Sequence, residues 1–347
     1  MHPVSSSRQM WARKAVTLLA LLAVACRRAS ANAASPAVLH MRIPPFSNSS
    51  LHMDWKEIED RHPEVSFHMA PDSEAYPQAR ARADQLTAAG ASSVTFVLSL
   101  RNPFKHVLAQ FLHCKFWRPE RHGKRVKWFT DGRDPSDILD GLEDWVDYHL
   151  SREEGAKGRK RSRHLSDQNC YNPWNMQTRY LSPSPHLRKT KNGGKVAVIA
   201  PRHAFDFKDL HPQLSEAMLN LEKVDLVTVA ELYGTSVCML EYEVSGELPD
   251  RCSCDSSDQP VQAQYDVPGV PAGSVDNVPV RVLKKMYKLI ENDVQLYLRG
   301  LTILETMVHD AESKTGKRLI CDADSTRVWD EVAETRNKLL SEVMGLQ

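Results

Sequence analysis

The sequence predicts an α/β fold: a central, mostly parallel sheet with helices around it and a helical C-terminal portion. Short apolar runs rich in β-branched residues recur at 37–41, 65–69 and 94–100, and segments of helical period separate and follow them. The longest helical pattern begins at Pro279 and carries Val294, Tyr297, Leu301, Leu304 and Val308 on one face.

The elements follow in order. Ala37–Met41 reads as a strand and Leu51–Asp60 as a helix, joined by a loop rich in hydroxyls. Val65–Met69 is a second strand, Pro77 opens a helix through Ala88, and Gly90 breaks the chain before the run Val94–Leu100. That run suits a strand buried on both faces. Arg101 stands at its carboxyl end, where open α/β sheets place their ligands. Pro103 fits the first position of a helix, and Val107, Leu108, Phe111 and Leu112 carry that helix onward. The handedness of parallel crossovers puts the loop after Met41 and the Arg101 junction on one sheet edge.

Further on, 134–150 returns to helical spacing. The segment 170–181, CYNPWNMQTRYL, concentrates aromatics, amides and Arg179 and is unusual for a loop. Lys195–Ala200 and Leu226–Val229 are strands, and 205–221 and 231–241 are helices. Asn292 and Asp293 are expected to divide the region after Pro279 into two helices, and 324–345 to form a last one.

Composition narrows the function. The 45 basic and 44 acidic side chains nearly cancel over 347 residues, so nucleic acid is not an implied partner and any anion site is local. Residues 1–31 have the layout of a secretory signal: Arg8, Arg13 and Lys14, then the apolar run Ala15–Cys26, then small residues. That run is shorter than the ~20 residues of a membrane-spanning helix. A cleaved signal and an uncleaved anchor both stay open, and either places residues 35–347, read as one domain, in a lumen or outside the cell. Beyond 1–31 lie Cys114, Cys170, Cys238, Cys252, Cys254 and Cys321, an even set compatible with disulfides. Cys252 and Cys254 are expected to pair elsewhere in the chain, Cys238 and Cys321 being examples. No close second Cys or His pair supports zinc. Two loops stand apart, a basic one at 151–165 and a Cys/Pro/Ser-rich one at 249–277. The basic loop reads as a solvated face, a polyanion contact or a processing site.

The candidate chemistry gathers around the first and third strands. Arg42-Ile43-Pro44-Pro45-Phe46-Ser47-Asn48-Ser49-Ser50 runs from a strand into a helix, an order that places backbone N–H groups where phosphate binds, although an ordinary serine N-cap has the same pattern. Arg101 supplies a cation at the second junction. His68, near the end of the second strand, is either a general base or a structural histidine, with Asp72 and Glu74 as substitutes. Asn48-Ser49-Ser50 is also a glycosylation sequon.

These parts together resemble the PAPS-dependent carbohydrate sulfotransferases of the Golgi lumen, in particular algal and protist members. The family's phosphosulfate loop, of the type Ile-Pro-Lys-Thr-Gly-Gly-Thr-Ser, falls in register on Ile43 to Ser50, and its Arg-(Asp/Asn)-Pro strand end on Arg101-Asn102-Pro103. Asn175–Leu181, the Cys252/Cys254 loop and 278–321 are similar too. The resemblance implies a P-loop-like three-layer fold, with PAPS as sulfate donor and no metal. It also implies a glycan hydroxyl as acceptor, Phe46, Ser47, Asn48, Ser49, Ser50 and Arg101 as donor-binding residues, and His68 as base. Two positions depart from the pattern. Pro45 stands where the family has a lysine and Ala109 where it has a serine for the 3′-phosphate. The lysine is the larger loss, because a preorganised donor to a leaving phosphate is worth about 100- to 1,000-fold in rate. Arg42 and Lys105 are the nearby cations that could replace it.

Overall fold

The computed structural model describes residues 35–43, 49–71, 74–116, 138–153, 171–182, 186–189, 195–198, 212–254, 256 and 273–319. Four parallel strands form the central sheet: β1 (Ala37–Arg42), β2 (Ser66–Met69), β3 (Val94–Leu100) and, further along the chain, β6 (Leu226–Val229), in the order β2-β1-β3-β6. Register is fixed by pairs such as Leu39 with His68, Arg42 with Ser99, and Ser99 with Thr228. The near-continuous apolar runs of β1, β3 and β6 reflect burial on both faces, as parallel sheets require. The α/β fold with a parallel central sheet is therefore as the sequence predicts.

Two layers of helix cover the sheet. Trp55 of α1 (Ser49–Arg61) stacks on His40, and α7 (Tyr233–Ser245) packs along β6 on that same side. Tyr76 of α2 (Tyr76–Ala88) meets Phe96 on the opposite face. There α8 (Val280–Thr315) approaches so closely that a Cβ on Gly300 would lie 2.4 Å from Leu100 Cδ1. A second core forms where α3 (Pro103–Phe116) and α4 (Leu142–Glu153) pack on the first half of α8.

The region after Pro279 forms two helical stretches joined at a kink, as expected: α8 carries non-helical dihedrals at Ile290, two residues before the Asn292–Asp293 pair expected to divide it. The bend has an identifiable cause. Asn175 enters the helical ladder, its N–H donating to the Leu289 carbonyl at 2.7 Å and its Oδ1 accepting from the Asn292 N–H at 3.0 Å.

The remaining elements are α5 (Met176–Leu181) and α6 (Leu214–Leu221), which contribute to the first core, and the antiparallel ribbon of β4 (His186–Lys189) with β5 (Lys195–Val198). The ribbon corrects the reading of 195–200 in two ways: its partner strand at 186–189 was not anticipated, and the pair stands apart from the central sheet. The carboxyl end of α1 is anchored by Arg61, which pairs with the nearly buried Glu241 of α7. Arg251 pairs with Glu241 at 2.9 Å and with Glu57 at 3.0 Å. The Cys238–Cys252 disulfide fastens this corner, one of the pairings left open by the sequence. Cys114 and Cys254 are disulfide-bonded as well. Among the described residues no helix is long and apolar enough to cross a membrane. The apolar run 15–26, the basic loop at 151–165, most of 249–277 and the helix expected over 324–345 lie outside the described residues.

Candidate functional site

All four central strands end on one edge of the sheet, and the strand order reverses between β1 and β3. β2 lies to one side of β1, while β3 and then β6 lie to the other. Such a switch point opens a crevice above the carboxyl ends, because the connections leave it in opposite directions. Arg42 is the last residue of β1 and is paired with Ser99, so Arg101 follows two residues further along the neighbouring strand. Both arginines are half-buried. Two helices start from this crevice, α1 after β1 and α3 after β3. Ser49 and Ser50 are the first residues of α1, whereas Pro45, Phe46, Ser47 and Asn48 lie outside the described residues.

The β3-to-α3 junction is held by three polar side chains. Asn102 is the N-cap of α3: its Oδ1 accepts from the N–H groups of Phe104 at 3.0 Å and Lys105 at 3.3 Å, with Pro103 at the first helical position. Asn102 in turn donates its own N–H to Glu231 Oε2 at 3.0 Å, and the same oxygen accepts from the Tyr297 hydroxyl at 3.0 Å. One residue earlier, the amide of Gln177 brackets the backbone of Arg101. Its Oε1 accepts from Arg101 N–H at 3.0 Å and its Nε2 donates to the Arg101 carbonyl at 2.8 Å. A single side chain thus closes both backbone bonds of Arg101 just past the last ladder pair of β3.

Gln177 is fixed by its own surroundings, since every residue of 171–182 is buried. Such burial leaves many polar groups to satisfy. Asp293 of α8 takes three of them: the N–H of Gln177 at 3.1 Å and both the N–H and the hydroxyl of Thr178 at 2.7 Å. Arg179 turns back to donate to the carbonyls of Trp174 and Asn172. Asn175, which bends α8, occupies the left-handed region at φ 41°, a conformation asparagine tolerates better than most residues. Complete burial raises the Asp293 carboxyl to about 6, opposed by its bonds to Thr178 and Gln177 and by Arg179.

Beneath the crevice a polar line crosses the sheet. His40 Nε2 lies 2.7 Å from Ser99 Oγ, which lies 2.7 Å from Thr228 Oγ1, which donates to the Leu98 carbonyl at 3.2 Å. Burial, reinforced by the Arg42 charge, lowers His40 to about 3 and keeps the ring neutral.

The remaining predicted residues fall away from Arg101. His68 pairs across the edge strand with Leu39, level with Phe96, and its Nε2 lies 3.2 Å from Ser66 Oγ. Arg101 is five residue steps beyond Phe96, which sets His68 roughly 16 Å back along the strand direction. Glu74, in the connection after β2, is gripped by Arg82 at 2.7 and 3.2 Å. Ala109 lies half-buried on α3. Gln177, Asp293, Glu231 and Tyr297 were not read as site residues from the sequence, although Gln177 lies within the amide-rich segment noted there and Asp293 and Tyr297 were noted only for the helix after Pro279. Among the described residues no group of three or more His, Cys, Asp or Glu side chains is placed to hold a metal ion.

No protein-family model matches this chain, and no curated protein matches it either. What the edge can do chemically rests on its own residues: an arginine at each of two adjacent strand ends and a helix beginning after each strand are features suited to an anion.

Proposed function

We propose that the protein is a sulfotransferase that moves sulfate from PAPS to a hydroxyl of a polysaccharide or glycoprotein glycan in the Golgi lumen. The observation that carries this reading is the switch point itself, where the strand end leading into Ser49 and Ser50 lies beside the strand end bearing Arg101. PAPS has a 5′-phosphosulfate and a 3′-phosphate, so it needs two anion-binding places a nucleotide's length apart. In this reading Arg101 holds the 3′-phosphate, and the turn through Phe46, Ser47, Asn48, Ser49 and Ser50 holds the phosphosulfate. Arg42 is the cation nearest that turn.

Transfer requires an acceptor hydroxyl oxygen to attack sulfur in line while the bond from sulfur to the bridging phosphate oxygen breaks. The bisphosphate leaves and the hydroxyl proton passes to a base. His68 is that base in this reading. Glu231 is nearer Arg101, but its Oε2 already accepts from Asn102 and Tyr297, which suits it to organising the junction. No metal is called for, because the donor is already activated. The Cys238–Cys252 disulfide supports an oxidising compartment.

Pro45 and Ala109 favour a second reading, a relative that binds a sulfated glycan or nucleotide without turnover. Calorimetry with the product adenosine 3′,5′-bisphosphate, followed by transfer of labelled sulfate to a panel of glycans, separates the two. Binding with transfer supports the enzyme, binding alone supports the second reading, and absence of binding refutes both. If His68→Ala keeps bisphosphate binding and full turnover, His68 is not the base.

A further inference from the structure

We infer that Gln177 is the positioning residue for Arg101, and that it sets the site's selectivity for a 3′-phosphate; this rests on the donor-site reading above. Beyond Leu100 the β3–β6 ladder has no further pairs, since Leu100 is matched with Val229 and β6 ends there. A residue in that place keeps its backbone freedom unless something else closes its hydrogen bonds, and a mobile backbone spreads an arginine's long side chain over many positions.

Gln177 closes both bonds at once. Only a primary amide of this length offers one acceptor and two donors at a single planar head, so it can match an N–H and a carbonyl of one residue together. The amide is in turn held, because the Gln177 backbone and that of Thr178 end on the Asp293 carboxylate. Both bonds of the Gln177 amide head are thus spent on one backbone residue, the one at the switch point.

The test uses the full chain and two probes, adenosine 3′,5′-bisphosphate and adenosine 5′-monophosphate, which differ by the 3′-phosphate alone. Both are titrated by calorimetry into wild type, Gln177→Ala, Arg101→Ala and the double variant. The expected result is a loss of at least about tenfold in bisphosphate affinity for Gln177→Ala, with monophosphate affinity held within about twofold. The double variant should then be no weaker than Arg101→Ala, since coupled residues are not additive. Gln177→Glu keeps the acceptor for Arg101 N–H but loses the donor, and serves if the alanine variant does not fold; it should also lower the bisphosphate preference. Equal loss on both probes would mean a merely structural role and overturn the inference. So would an unchanged preference in either Gln177 variant. Failure of wild type to bind the bisphosphate would instead refute the donor-site reading and the inference with it.

Discussion

The Asp293 carboxylate accepts two hydrogen bonds from Thr178, one from its N–H and one from its hydroxyl, both at 2.7 Å. A third comes from Gln177, so a fully buried charge is compensated by the start of one short helix. The compensation is mutual: without the carboxylate those three donors have no acceptor. Asp293→Ala is therefore expected to cost about 2–4 kcal/mol, because stranded buried donors each carry a penalty of ~1–3 kcal/mol, partly offset by no longer burying a charge. Thr178→Val removes only the hydroxyl bond and should cost about 1–2 kcal/mol. Urea unfolding of the two variants measures both, and equal costs would refute the ordering.

The two strongly shifted buried groups pull stability in opposite directions with pH. Asp293 is raised from 3.8 to about 6, so its contribution is full below its unfolded value and is lost as pH rises through about 6. His40 is lowered from 6.5 to about 3, so its contribution is present above its unfolded value and is lost as pH falls through about 3. Between about pH 4 and 6 the slopes oppose, each reaching up to ~1.4 kcal/mol per pH unit. Relative to wild type, Asp293→Asn should lose more stability on acidification through this window, and His40→Gln should lose less. Unfolding free energies at several pH values check this; an Asp293→Asn curve parallel to wild type would count against it.

Gly300 is held small by contact rather than by backbone conformation. Its absent Cβ would fall 2.4 Å from Leu100 Cδ1 and 3.5 Å from Val227 Cγ1, and Leu100 has no exposed surface into which to swing. Gly300→Ala should cost about 1–3 kcal/mol despite alanine's better helix propensity. Leu100→Val in the same chain should recover part of that loss. If the two losses simply add, the contact is not the cause.

Pro45 bears directly on activity. On the sulfotransferase reading, Pro45→Lys restores both a cation and a backbone N–H to the donor turn, and transfer of labelled sulfate should rise by about 100-fold or more. No gain would mean that another cation, with Arg42 the nearest strand-end candidate, already neutralises the leaving phosphate.

The junctions were legible because hydrophobic runs and punctuation agree there. Val94–Leu100, the N-cap Asn102 and Pro103 all point to one structure, and the observed strand bounds match the expected ones. The support around them was not legible, because it depends on contacts between residues far apart in sequence. Gln177 reaches Arg101 across 76 positions and Asp293 reaches Gln177 across 116. The polar side chains of 171–181 do not show in the sequence which way they face; the segment is wholly buried and spends them inward. Asn292 and Asp293 marked the division of α8 to within two residues of the kink at Ile290, whereas its cause, the ladder bonds that Asn175 supplies from outside, was not legible.

One face of α8 meets three consecutive residues at the end of β3. Asp293 reaches Arg101 through Gln177, Tyr297 reaches Asn102 through Glu231, and Gly300 rests on Leu100. Positions 293, 297 and 300 share one helical stripe, so their phase matters more than any one of them. An extra residue inserted between 293 and 297 would turn the later two by about 100° relative to the first. All three strand-end contacts could not then be kept, even with every side chain in α8 retained. The spacing along this helix works as a gauge block for the sheet's switch point, and lengthening it by one residue is a sharper way to disable the crevice than removing any single group.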